Sequence, residues 1–295
     1  VIVLGVDVGG TTIKALPVDV TEAGANVVGE GLRRPTPKDA DGVLETIADI
    51  AAGFPDAEAI GVAVPGIIDE PAGVAVTAAA FGWENVPIRD WLSKRTGRPV
   101  ALGHDVRAGG LAEWRLGASR GAENALLVML GTGIGSCVVV DGRLLTGGGY
   151  AGQLGHTIAD PDGPQCGCGQ RGCLGMLASA SAVARRYAER SGDASVTAAR
   201  VVAERASAGD PVAQAIWDET VTALSAGLVT AVTLFGPEIV VLGGGLALAG
   251  DQLIKPVAEQ LESRLTFQRH PRVVPAQLGD ESGILGAALL AAERK

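Results

Sequence analysis

One local pattern occurs twice in this chain and limits what it can fold into. An apolar run, Val1 to Val8, enters the turn Gly9-Gly10-Thr11-Thr12 and leaves through a second run, Ile13 to Val20. Later, Ala125 to Leu130 enters Gly131-Thr132-Gly133-Ile134-Gly135 and leaves through Ser136 to Val140. Short runs rich in Val, Ile and Leu and bounded by Gly are strands. Two copies in 295 residues read as an internal duplication, one copy per lobe. The expected lobes are residues 1–117 plus 281–295, and residues 118–280.

Between the copies, 42–52 is predicted helical, with Val43, Ile47 and Ile50 on one face. Ala59 to Val64 is a buried strand that stops at Pro65-Gly66, and 71–83 holds short strands and loops. Ile88 to Thr96 is a short helix, Val100 to Leu102 a strand, and Val106 to Leu116 a helix. Asp141-Gly142 is a hairpin turn. Residues 160–175 form a Gly/Cys-rich loop without periodicity. Helices follow at roughly 179–190, 196–207, 210–235, 250–264 and 282–293, with a strand at Glu238 to Leu242 that enters Gly243-Gly244-Gly245.

The Gly/Thr turns suggest what the duplication holds. Glycine lets the backbone approach a ligand closely, and successive N–H groups in such a turn make an anion-binding nest. Asp7 stands before the first turn, where a carboxylate can hold a magnesium ion through water, and Lys14 follows on the exit strand. The third glycine cluster at 243–245 strengthens the phosphate reading. No G-x-x-x-x-G-K-[ST] segment is present, which removes a P-loop. Gly131, Gly133 and Gly135 have dinucleotide-like spacing, but Cys137-Val138-Val139-Val140 continues as strand where that fingerprint needs a helix.

His104-Asp105 lies between a strand and a helix. Ligands in open α/β sheets bind at the carboxyl ends of strands, and a helix N-terminus favours an ionised carboxylate. An ionised Asp105 can take the proton of a hydroxyl as its oxygen attacks a γ-phosphate. Service as a helix N-cap is the other reading of Asp105, and the residues alone leave it open.

His156, Cys166, Cys168 and Cys173 offer one imidazole and three thiolates, with Gly167, Gly169 and Gly172 allowing the loop to wrap. That set suits a closed tetrahedral zinc site, and four protein ligands make the zinc structural. Cys137, inside a β-branched run, is a small core residue. Cysteines used in this way point to a reducing compartment, and the cytoplasm is the expected location.

The net charge of −9 argues against nucleic acid or an anionic membrane as partner. With 47% hydrophobic residues, the chain can bury a real core. Val1 to Val8 has no basic n-region or cleavage pattern, and no helix-turn-helix segment stands before Val1, so neither secretion nor DNA binding is expected.

Together these elements resemble the ROK family of bacterial sugar kinases and related repressors. Asp7-Val8-Gly9-Gly10-Thr11-Thr12 looks like its first phosphate motif and Gly131-Thr132-Gly133-Ile134-Gly135 like its second. Cys166-Gly167-Cys168-Gly169-Gln170-Arg171-Gly172-Cys173 looks like its zinc signature, the most specific match. The resemblance implies an α/β, two-lobed actin-like fold (a duplicated ribonuclease-H-like ATPase) with a zinc-binding loop. It implies ATP, magnesium and a sugar or polyol as ligands, Asp105 as catalytic base, and a homodimer or homotetramer. Donor contacts would come from Asp7, Gly9, Gly10, Thr11, Thr12, Lys14, Gly131, Thr132, Gly133, Gly243, Gly244 and Gly245. Acceptor contacts would come from Gly66, His104, Asp105, Gln153 and His156.

The departures fall in the acceptor site. The family usually carries Asn-Asp where this chain has His104-Asp105, and Glu-x-Gly-His where it has Gln153-Leu154-Gly155-His156. It usually has Glu at the position of Gly175, and often Asn at that of Ala80. A site built to pair hydroxyls discriminates strongly, so these changes bear on the substrate. Glucose is the family default; another hexose, an amino sugar or a cyclitol is the alternative acceptor. A non-catalytic sugar- or nucleotide-binding protein is the alternative class, and the retained Asp105 favours the kinase.

Overall fold

The computed structural model describes residues 1–78 and 81–293. The Ala80 position noted above lies outside the described residues. The chain divides into two compact units: Val1–Arg120 with Thr146–Ala151 and the segment from Asp280 onward, and Gly121–Leu145 with Gly152–Gly279. Thr146–Ala151 therefore groups with the first unit, although it falls inside the range that the sequence assigns to the second lobe.

In the first unit, strands β1 (Ile2–Val8), β2 (Thr12–Thr21), β3 (Gly24–Val27) and β4 (Leu32–Pro35) precede helix α1 (Ala40–Ala52). Then come β5 (Ala59–Val64), β6 (Ile67–Asp69), β7 (Val74–Ala78), β8 (Trp83–Val86), α2 (Ile88–Thr96), β9 (Val100–His104) and α3 (Asp105–Arg115). The main sheet runs β3-β2-β1-β5-β9, with β4 also paired to β2, and β6, β7 and β8 form a separate antiparallel ladder.

The second unit contains β10 (Ala125–Leu130), β11 (Ile134–Val140), β12 (Arg143–Leu144), α4 (Leu174–Ala178), α5 (Ala180–Ser191), α6 (Ala199–Ser207), α7 (Pro211–Phe235), β13 (Ile239–Gly243), α8 (Asp251–Arg264) and β14 (Arg272–Pro275). Helix α9 (Ser282–Glu293) returns to the first unit. No described helix is long and apolar enough to cross a membrane.

The second sheet runs β12-β11-β10-β13-β14, strand for strand the order of the first. The directions also agree. β1 is antiparallel to β2 and parallel to β5, and β10 is antiparallel to β11 and parallel to β13. The duplication read from the two Gly/Thr turns is thus a duplication of topology. β14, at one edge of its sheet, is a pairing that the periodicity did not reveal: its four residues Arg272–Pro275 are too short a run to stand out.

The central strands of the first sheet have one large face and one small face. Leu4, Val6, Val8, Ile60, Val62, Val64, Val100 and Leu102 are buried against α1 and α2, including Val43, Leu44, Ile47, Ile88 and Leu92. The opposite face carries Gly5, Gly61 and Ala63, and α9 lies against it. A Cβ on Gly61 would stand 1.8 Å from the carbonyl oxygen of Ala287. Glycine inside a strand often marks such a close backbone approach. The second unit has a larger single core, where β10, β11 and β13 bury Leu126, Val128, Val138, Val240 and Leu242 against α5 through α8.

Candidate functional site

In the first unit, Asp7 is the penultimate residue of β1, paired with Lys14 across the turn and with Ala63 of β5. The turn is closed by the Gly9 N–H donating to the Thr12 carbonyl at 3.1 Å and braced by the Thr36 hydroxyl donating to the Gly9 carbonyl at 2.7 Å. Gly10 faces open space, so a ligand can approach its backbone. Burial, helped by the charge of Asp105, pushes the Asp7 carboxyl up to about 6, and Lys14 acts the other way. Lys14 Nζ lies 3.8 Å from Asp280. A carboxyl pushed toward its protonated form by burial and a neighbouring carboxylate, beside an open turn, is a donor that a divalent cation relieves.

β9 runs on through His104, two residues past the predicted end, and α3 starts at Asp105. The cap of α3 is His104, whose Nδ1 accepts the Arg107 N–H at 3.4 Å. The N-cap reading of Asp105 is therefore displaced: Asp105 is the first helical residue, and its side chain does not serve as the cap. Its carboxylate is one-third exposed, with Oδ1 accepting the Val106 N–H at 2.7 Å and lying 3.3 Å from His104 Nε2.

Sequence reasoning missed the support beneath this pair. Arg107 is 1% exposed. Its Nε donates to Glu70 Oε1 at 2.9 Å, and its Nη groups donate to the carbonyls of Gly149 at 3.2 Å and Ile68 at 3.4 Å. The guanidinium thus joins β6 and the Thr146–Ala151 segment to the start of α3. The sequence signal was a charged residue near the start of a helix rich in Gly and Ala. Gly66, on the exit from β5, has φ of 117°, and a Cβ there would stand 2.2 Å from the Thr77 carbonyl oxygen.

In the second unit, the Gly131 N–H donates to the Gly133 carbonyl at 3.0 Å, and neither glycine has a neighbour where a Cβ would be. The turn abuts the start of α5. The Ala180 N–H donates to the Gly131 carbonyl, the Ser181 hydroxyl donates to that of Thr132, and Ser179 caps the helix through the Ala182 N–H. Gly243 closes β13 and Gly244 follows at φ of 82°, with the Leu130 carbonyl 2.7 Å from where a Cβ would lie. Next to Gly245 is a cavity of about 480 Å³, walled by Ala203, Trp217, Leu246 and Gln252 and edged by Arg200 and Glu204.

Ligand atoms of His156, Cys166, Cys168 and Cys173 lie within 4.8 Å of one another. His156 Nδ1 is 3.8 Å from Cys166 Sγ, and Cys168 Sγ is 3.6 Å from Cys173 Sγ. Thiolates at the usual Zn–S length of about 2.3 Å on tetrahedral corners stand about 3.8 Å apart, so the four atoms fit a zinc ion. The loop is shaped for it by Gly172, where a Cβ would overlap the Asp160 carbonyl oxygen. Burial, together with the neighbouring thiols, pushes the Cys173 thiol up to about 12, a cost that a bound cation reverses.

His156 closes the 3₁₀ turn Leu154–His156, its N–H donating to the Gln153 carbonyl at 2.9 Å. A cavity of about 160 Å³ joins the second turn to the cysteine loop, lined by Thr132, Gly133, Gly155, His156, Cys166 and Gly175 among others. Within the second unit the structure thus brings His156 and the second Gly/Thr turn to one cavity. Within the first it brings Asp7, Lys14 and Asp105 together electrostatically, with His104 beside Asp105.

The model of the ROK family matches residues 3–294. A glucokinase of Thermotoga maritima is 36% identical across 99% of this chain and 97% of its own length. An N-acetylmannosamine kinase of Citrobacter koseri is 32% identical across 98% of each chain. A crystal structure of a ROK family glucokinase from Streptomyces griseus in complex with glucose and AMPPNP superposes with a TM-score of 0.87. It is 30% identical and covers 99% of this chain and 100% of that one.

Proposed function

The chain belongs to the ROK family, and we propose on that basis that it is an ATP-dependent kinase acting on a hydroxyl of a hexose or hexose-like sugar, with Asp105 as general base. The observation that carries the assignment of Asp105 is that its carboxylate is not the cap of α3. His104 has that task, which leaves a part-exposed carboxylate at the carboxyl end of a strand. Phosphoryl transfer needs little covalent help from protein, so positioning and charge compensation carry the catalysis. Asp105 takes the hydroxyl proton as the oxygen attacks the γ-phosphorus and the γ–β bridging bond breaks toward ADP.

The Gly9–Thr12 and Gly131–Gly133 turns would bind phosphate oxygens through backbone N–H groups, aided by Lys14. The cavity beside Gly245 suits the base of the nucleotide: it is apolar, with polar groups at its edge. Magnesium, when bound, would neutralise charge on the transferred group, and Asp7 would hold it through water. Zinc in the His156, Cys166, Cys168 and Cys173 set would be structural, keeping His156 and its loop in place.

The acceptor would be met by Gly66, Asp105, Gln153 and His156, with His104 reaching it through Asp105. Relatives include both glucokinases and N-acetylmannosamine kinases, so glucose and an amino sugar head the acceptor class. The reading extends to a cytoplasmic homodimer or homotetramer. It is tested by coupled ADP release with Mg-ATP and zinc-replete protein over a panel of hexoses, amino sugars and cyclitols. Turnover on one or a few acceptors is expected. ATP binding without turnover on any acceptor would replace the kinase with a binding protein.

A further inference from the structure

We propose that His104 is a positioning residue for the reaction: it holds Oδ1 of Asp105, leaving Oδ2 as the oxygen that accepts the proton. The inference rests on the kinase reading, because it assigns a role within that reaction.

A neutral imidazole has one donor and one acceptor nitrogen, and the bond made at one fixes the proton on the other. Nδ1 of His104 accepts the Arg107 N–H, so the ring proton is on Nε2. Nε2, which carries that proton, lies 3.3 Å from Oδ1 of Asp105, within ion-pair distance. The Val106 N–H donates to the same oxygen at 2.7 Å. Oδ1 thus has both the Val106 N–H and the His104 ring against it, while among the described residues no such contact engages Oδ2.

The groups facing the ring are Asp105, Arg107 and Glu70. Burial holds the ring's proton affinity below the ordinary imidazole value, and Arg107 adds to this; Asp105 and Glu70 oppose it. The ring is therefore neutral at pH 7, the state in which the cap and the Asp105 contact can form together. Its backing does not move freely either: Arg107 is anchored to Glu70, Ile68 and Gly149. His104 has only 11% of its side chain exposed, and both ring nitrogens are engaged inside the first unit. It acts on the acceptor through Asp105.

The two nitrogens can be tested separately, because Asn places a polar atom near Nδ1 and Gln places one near Nε2. His104→Asn retains the cap and loses the contact to Asp105; His104→Gln does the reverse. Steady-state kinetics would use the full chain, zinc-replete, with Mg-ATP and with glucose and N-acetylmannosamine as probes.

The expected result for His104→Asn is a melting temperature near that of the parent, a kcat lower by about tenfold or more, and an acceptor KM within about twofold. His104→Gln is expected to melt lower yet recover kcat to within about threefold of the parent. Equal loss of kcat in both variants, full kcat in His104→Asn, or a loss confined to KM would overturn the proposal. ¹⁵N spectra of the imidazole give a readout independent of turnover. Nε2–H with an unprotonated Nδ1, and an Nε2 signal that moves on Asp105→Asn, is expected; an Nδ1–H ring overturns the geometry. A parent enzyme silent on every acceptor would refute the kinase reading instead, and the ¹⁵N result would still decide the contact.

Discussion

One oxygen of Glu70 accepts both the Arg107 guanidinium, at 2.9 Å, and the backbone N–H of His104, at 3.3 Å. A residue on the loop after β6 therefore fixes the end of β9 and the first turn of α3 together. Replacing Glu70 with Ala leaves a buried guanidinium without its carboxylate. Loss of one partner from a buried pair costs about 3–5 kcal/mol. Urea unfolding of Glu70→Ala should show that loss, and ADP release should fall with it because His104 and Asp105 lose their backing. A stability change under about 1 kcal/mol would mean that Arg107 has found another partner.

Asp105→Asn keeps the size of the side chain and removes the carboxylate proposed as base. We expect kcat to fall by about 10² to 10⁴ while ATP affinity changes little. Calorimetric titration with a non-hydrolysable ATP analogue, alongside the ADP-release assay, checks both halves. Unchanged turnover would remove Asp105 from the chemistry.

The Asp7 carboxyl, held up at about 6 by burial, makes a pH prediction. Its folded value lies above the 3.8 of the unfolded chain, so between those values the folded state holds more protons. Stability from this group therefore falls as pH rises from 4 toward 6, and the cost is fully present above 6. The shift corresponds to about 3 kcal/mol. Asp7→Asn should flatten the pH dependence and raise the melting temperature of metal-free protein at pH 7 to 8, while abolishing magnesium-dependent turnover. Thermal melts of both proteins from pH 4 to 8 test this, and parallel curves would refute it.

Cys168→Ser removes one of four converging ligand atoms. Zinc measured by plasma emission should fall from about one per chain to well below it, with a drop in melting temperature that chelator reproduces in the parent. Zinc content unaffected by the substitution would take Cys168 out of the ligand set.

A methyl group on Gly61 would meet the Ala287 carbonyl oxygen at 1.8 Å, and this oxygen belongs to backbone, which cannot rotate away. Gly61→Ala should destabilise the first unit by about 3 kcal/mol through displacement of α9. Denaturation followed by amide exchange should place the loss in β1, β5 and α9. Exchange unchanged at α9 would contradict the packing described.

The strands around both Gly/Thr turns, the longer helices and the convergence of His156 with the three cysteines were legible because each is written locally, in periodicity or in spacing; the short α4 was not. The role of His104 was not. Asp is the commoner cap, and only the backbone path of β9 through His104 puts the imidazole in that place. Arg107 and Glu70 are 37 positions apart, and nothing in either neighbourhood announces that they meet. The grouping of Thr146–Ala151 with the first unit was invisible for the same reason: its anchor, the Gly149 carbonyl, is an acceptor that every residue has. Whether Asp105 caps α3 needed the fold to decide, since a carboxylate before a helix is the usual cap.

The small-residue face of the first sheet is completed by the last helix of the chain. During synthesis, β1, β5 and β9 emerge early, yet α9 follows only after the 159 residues from Gly121 to Gly279, most of which belong to the other unit. For that interval the trough at Gly5 and Gly61 is a bare backbone surface open to anything that can add to it. A translational pause before Ser282 would therefore leave the strands of the first unit on a sheet with no floor.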